Sequence, residues 1–123
     1  MFLQVHPVLS VRDVRVTARF FCENLGFKPL FADDDTNPRY AGVGRDGVGV
    51  HLQWHGEDEW KEGLCGAAYR FLVEDPDALF TELQQAGALP KGKKVEDTPW
   101  GTREFGLYDP DQNALFFYRD HHP

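Results

Sequence analysis

A chain of 123 residues with 41% hydrophobic and 14% aromatic content is sized for one ordered domain, and it can bury a core without disulfide or metal support. Its formal charge of −7 argues against a nucleic-acid partner, whose phosphates call for basic patches. No apolar run approaches the roughly 20 residues of a membrane span, and Met1-Phe2-Leu3-Gln4-Val5-His6 has neither a basic n-region nor an apolar h-region, so the cytoplasm is the expected compartment.

In chain order, one βαβββ unit reads twice. Residues 2–10 form the first strand, with Val5, Pro7 and Leu9 opposing Gln4, His6 and Val8. A helix over 14–25 carries Val14, Ala18, Phe21, Cys22 and Leu25 on one face, and Gly26 ends it. Residues 27–32 form a second strand, broken by an acidic loop through residue 38. Residues 39–44 and 48–55 form a hairpin around Arg45-Asp46-Gly47. In its second arm Val48, Val50, Leu52 and Trp54 should pack on a helix, while Gly49, His51, Gln53 and His55 face the other side.

Residues 56–66 are polar and glycine-bounded and read as a linker between a first module (1–55) and a second (67–120) within one domain. The second module opens with a strand over 67–74, in which Tyr69, Phe71 and Val73 oppose Ala68, Arg70 and Leu72. Asp75 caps its helix, Pro76 sits in the first turn, Leu79, Phe80, Leu83 and Ala86 form the buried face, and Gly87 ends it. Strands over 93–97, 102–108 and 114–118 complete the set, with Leu115 and Phe117 opposing Phe116 and Tyr118. Cys22 and Cys65 make neither a disulfide framework nor a metal knuckle, and Cys22 reads as a small core residue. The expected fold is α+β: two βαβββ modules forming a curved mixed sheet around a cleft, with helices on the outer face. One sheet face mixes polar and aromatic groups, as the wall of a pocket does.

Several stretches carry a resemblance that covers nearly the whole chain: His6-Pro7-Val8-Leu9-Ser10-Val11-Arg12-Asp13-Val14, Phe20-Phe21 through Asn24-Leu25-Gly26-Phe27, Tyr40-Ala41-Gly42-Val43, Pro99-Trp100-Gly101-Thr102-Arg103-Glu104-Phe105 and Asp109-Pro110-Asp111-Gln112-Asn113. The chain resembles the vicinal oxygen chelate superfamily, the glyoxalase, bleomycin-resistance and extradiol-dioxygenase group. The Trp100 segment is similar to the drug-binding resistance proteins in particular. Enzymes of that group hold a divalent metal from four inward strand positions, which the resemblance places at His6, His51, Ala68 and Phe116. Alanine and phenylalanine offer no donor atom, so no cofactor is expected, and His6 and His51 are expected as neutral hydrogen-bonding groups of the pocket.

The resemblance therefore implies a homodimer that sequesters a small planar aromatic ligand, with or without a cationic group, in a crevice at the dimer interface and leaves it unaltered. Phe31, Tyr40 and Trp100 match its drug-stacking positions, and Pro7 matches the bend of an exchanged N-terminal arm. Inward-facing His51, Gln53, Arg70, Phe116 and Tyr118 complete the expected ligand-binding set. Flat conjugated rings stack on aromatic faces, and carboxylates such as Asp33, Asp34 and Asp35 attract a cationic tail. Arg70 opposes such a tail unless an acidic neighbour neutralises it, and the loop through residue 39 is longer than its counterpart in the resistance proteins. The alternative is a metal-dependent lyase, dioxygenase or thiol transferase that uses His6 and His51.

Overall fold

A computed structural model describes residues 1–63 and 65–121 of the chain. In the first module β1 (Val8–Val11) leads into α1 (Val14–Asn24), then β2 (Lys28–Ala32), β3 (Tyr40–Arg45) and β4 (Val48–Trp54). A short helix, α2 (Glu57–Lys61), joins it to β5 (Ala68–Leu72), α3 (Pro76–Gln85), β6 (Glu96–Asp97), β7 (Thr102–Tyr108) and β8 (Ala114–Asp120). The strands make two four-stranded mixed sheets, ordered β1-β4-β3-β2 and β5-β8-β7-β6. In each, the opening strand runs parallel to the last strand of its module and lies at an edge of the sheet. This is the α+β fold of paired βαβββ modules expected from the repeat.

The same local devices build both copies. Asp13 accepts hydrogen bonds from the Arg15 and Val16 amides at the start of α1, and Asp75 accepts from the Ala78 amide at the start of α3. Gly26 and Gly87, at φ 72° and 73°, turn the chain out of each helix. Strand alternation sends Leu9, Val11, Val50, Leu52, Phe105, Leu107, Leu115 and Phe117 into one core with Val14, Phe21 and Leu83 from the helices.

Four expectations need correction. The first strand is shorter at its start: residues 1–7 leave the sheet, and Met1, Phe2, Leu3 and Val5 are fully or almost fully exposed. The Pro7 carbonyl still accepts from the His51 amide, which makes it the last rung of the ladder. Trp54 does not pack on a helix; it lies on the surface with the Arg39 guanidinium 4.2 Å from its ring. Ala86 is exposed, because α3 ends before a further turn could bury it. The linker holds a helix, α2, nucleated by acidic residues in its first turn and Lys61 in its last.

The turn at Asp109–Asn113 fastens the two modules together. Asp109 accepts from the Asp111 and Asn113 amides and from Asn113 Nδ2, and that same Nδ2 donates to the Ser10 carbonyl at 3.0 Å. Asp111 accepts from the Arg12 amide and guanidinium. Arg45 reaches from the β3–β4 turn to Glu82 of α3 through two 2.8 Å hydrogen bonds, and Tyr69 donates to the Val8 carbonyl. A bidentate guanidinium–carboxylate pair fixes orientation as well as distance.

Candidate functional site

The expected ligand-binding residues fall into two groups, one on each sheet. On the first sheet Phe31, Tyr40 and His51 come from three adjacent strands. Phe31 lies edge-on to His51 at 5.1 Å and parallel to Tyr40 at 6.2 Å between ring centroids. His6 stacks on His51 at 4.3 Å between ring centroids. Gly42 sits between Phe31 and His51 in the strand register, and a β-carbon there would clash with the Phe31 ring at its Cε1. Glycine is thus what lets an aromatic lie flat on the sheet. Tyr40 Oη and His51 Nδ1 share a 2.8 Å hydrogen bond. Burial, and then the neighbouring His6, hold the His51 pKa below its ordinary value, so the ring is neutral at neutral pH. Gln53 is exposed beside Tyr40.

On the second sheet Arg70, Trp100, Phe116 and Tyr118 gather around a residue the sequence reading did not assign, Glu104. Its buried carboxylate accepts from the Arg70 guanidinium at 2.8 and 3.3 Å, from Thr102 Oγ1 at 2.7 Å and from the Trp100 indole N–H at 3.4 Å. These donors, Arg70 above all, hold the Glu104 pKa below the usual carboxylate range despite its burial. The guanidinium also lies 4.5 Å from the Tyr118 ring centroid and 5.6 Å from that of Phe116. The charge of Arg70 is therefore matched by a carboxylate, which removes its opposition to a cationic ligand. Gly106 plays the part of Gly42 here: a β-carbon would crowd the Phe116 ring at 2.8 Å. Trp100 itself is 68% exposed although its indole N–H is engaged.

Among the described residues no hydrogen bond, ion pair or ring contact links the two groups. A cavity of about 620 Å³ lies elsewhere, along the open edge of β5. It is lined mostly by apolar side chains, among them Val5, Pro7, Leu25, Phe71, Val73 and Leu79, and it shares His6 and Arg70 with the two groups. Carboxylates of the acidic loop serve their own backbone: Asp33 accepts from the Arg39 and Tyr40 amides, and Asp34 from those of Thr36 and Asn37.

The family model described as the glyoxalase/bleomycin resistance protein/dioxygenase superfamily matches residues 3–117. The chain belongs to this superfamily. A bleomycin resistance protein of Geobacillus stearothermophilus is 29% identical over 132 residues, spanning 95% of this chain and 96% of its own. The crystal structure of a bleomycin-binding protein from bleomycin-producing Streptomyces verticillus, complexed with copper(II)-bleomycin, is similar at 33% identity and a TM-score of 0.70 over 95% of both chains. A glyoxalase-related enzyme from Clostridium phytofermentans shares the fold at a TM-score of 0.76 and 23% identity, over 98% of this chain and 96% of its own. Within the superfamily this fold thus carries enzymes and drug-binding proteins alike, and the side chains must decide between them.

A superfamily metal site does not fit the residues present. Two of the four positions hold Ala68 and Phe116. His6 and His51 lie face to face at 16°, stacked as rings instead of converging on a point, and His51 Nδ1 is engaged by Tyr40. Among the described residues no further His, Cys, Asp or Glu joins them to make a set of three. No step of metal chemistry is therefore assigned to this superfamily member at that position.

Proposed function

We propose that this protein binds and sequesters a planar aromatic, cationic small molecule of the bleomycin type, without chemistry, in a crevice between two copies of the chain. Trp100 carries the reading. An indole so largely exposed, yet fastened through its N–H to a buried carboxylate, is a plate held ready for a flat partner. Phe31 and Tyr40 supply parallel aromatic faces, and the net charge of −7 favours a cation. Glu104 neutralises Arg70, so the second group imposes no net positive charge. Similarity to bleomycin resistance proteins over 95% of the chain points the same way.

The homodimer reading is supported by what one copy leaves undone. Its two aromatic groups lie on different sheets and make no contact with each other, which supports a ligand stacked between one group of each copy. Met1, Phe2, Leu3 and Val5 form an apolar arm without cover, joined to the sheet at Pro7, and the β5 edge beside the apolar cavity is open. An arm that crosses to the partner resolves both. The ligand set is then Phe31, Tyr40, His51 and Gln53 from one copy with Arg70, Trp100, Phe116 and Tyr118 from the other.

The test is a fluorescence titration of the Trp54→Phe, Trp60→Phe double variant, which leaves Trp100 as the sole tryptophan, with bleomycin. Saturable quenching in the micromolar range or tighter, with the drug recovered unaltered, is the expected result. No quenching at saturating drug, or conversion of the drug, overturns the reading.

A further inference from the structure

The linker helix carries a group of side chains that the ligand site does not use. His55 follows β4, Glu59 lies in the first turn of α2, and Cys65 follows the helix. His55 Nδ1 and a Glu59 carboxylate oxygen are hydrogen-bonded, and Cys65 Sγ joins them, all three donor atoms lying within 4.8 Å of one another. Among the described residues this is the one set of three His, Cys, Asp or Glu so placed. Donor atoms around a tetrahedral zinc ion are roughly 3.5 Å apart, given bonds of about 2.0–2.3 Å, so a small side-chain rearrangement suffices.

The backbone holds the set in place. The His55 amide donates to the Val11 carbonyl and the His55 carbonyl accepts from the Trp60 indole N–H, which ties His55 to β1 on one side and to α2 on the other. Arg12 covers the Trp60 ring at 4.0 Å and pairs with Glu57 at 2.9 Å. Gly63 and Gly66, on either side of the cysteine in sequence, adopt φ values of 74° and 92°, which glycine takes without strain.

We infer that His55, Glu59 and Cys65 form a site for a divalent zinc-class transition metal, which fastens α2 and the inter-module linker to the first sheet. Imidazole nitrogen, carboxylate oxygen and thiolate sulfur are the donors such an ion takes, and the thiolate and carboxylate together offset its charge of two. Binding displaces the thiol proton to solvent. With three protein donors, water fills the fourth position. Cys65 is half-buried and unpaired with Cys22, so its sulfur is available to a metal.

Cobalt(II) added to the reduced, metal-free protein tests the site by its spectrum. The expected result is a one-to-one titration with a thiolate-to-cobalt charge-transfer band and tetrahedral visible bands, lost in Cys65→Ser, weakened at least tenfold in affinity in Glu59→Gln, and retained in Cys22→Ser and His51→Ala. Zinc should displace the cobalt and raise the melting temperature of the wild type but not of Cys65→Ser. Absence of the charge-transfer band at excess cobalt, or its survival in Cys65→Ser, overturns the inference.

Discussion

The two sheets carry aromatic groups at related positions but hold them by different forces. On the first sheet, Phe31, Tyr40, His51 and His6 support one another ring on ring, around a neutral imidazole and one hydroxyl hydrogen bond. On the second, Arg70, Trp100, Phe116 and Tyr118 depend on a buried carboxylate that collects several donors. Each places a glycine, Gly42 or Gly106, under its phenylalanine. The repeat therefore preserved the platform and let the chemistry on it diverge: one half offers flat apolar surface, the other a charge-balanced clamp with an exposed indole.

The largest expected effect breaks the link between the halves. In Asn113→Ala the buried amide that joins Ser10 to Asp109 is lost, leaving a carbonyl and a carboxylate short of a donor. Such losses cost about 2–3 kcal/mol, and for a domain of this size the melting temperature should fall by roughly 10 °C. Thermal unfolding checks it, and a change of a degree or two would show that the turn is not a fastening.

Next is Glu104→Gln, which keeps the shape of the clamp and removes its charge. Arg70 then stands uncompensated, and affinity for a cationic ligand should fall about tenfold, equal to about 1.4 kcal/mol, while Phe31-side contacts persist. Acid should act similarly on the wild type. The Glu104 pKa in the fold lies below its unfolded value, so the stability it contributes is complete above the unfolded pKa and is lost as pH falls through the folded one. Trp100 emission should hold through the ordinary carboxylate range and change only below it. A change within that range would contradict the ion pair.

The smallest effect concerns His51. Its folded pKa is lowered, so the neutral ring is favoured and the associated stability declines as pH drops below the unfolded value. Proton NMR should place its titration midpoint below that of an unperturbed imidazole. A midpoint at or above the ordinary value would mean that His51 carries a charge into the first group.

Much of this was legible in the sequence because the signals are local. Asp caps, terminal glycines and strand alternation marked both helices and most strands, and period-two patterning put His51, Arg70, Phe116 and Tyr118 on the open face of the sheets. What escaped depended on contacts distant in sequence. Glu104 read only as one position of the strand over 102–108, since its main donor, Arg70, lies 34 residues away. The fastening role of Asn113 needed Ser10, 103 residues earlier. Trp54 follows the alternation of its strand, but it lies at the strand's end, where Arg39 offered an alternative to burial. The His55–Glu59 spacing is that of one helical turn, and only the fold adds Cys65 to it.

The central claim is that Trp100 is a binding plate and not a packed core residue. Titrating the protein whose only tryptophan is Trp100 with bleomycin tests it most directly. The account predicts saturable quenching, micromolar or tighter, from a drug that is recovered unchanged; emission that stays constant at saturating drug would contradict it.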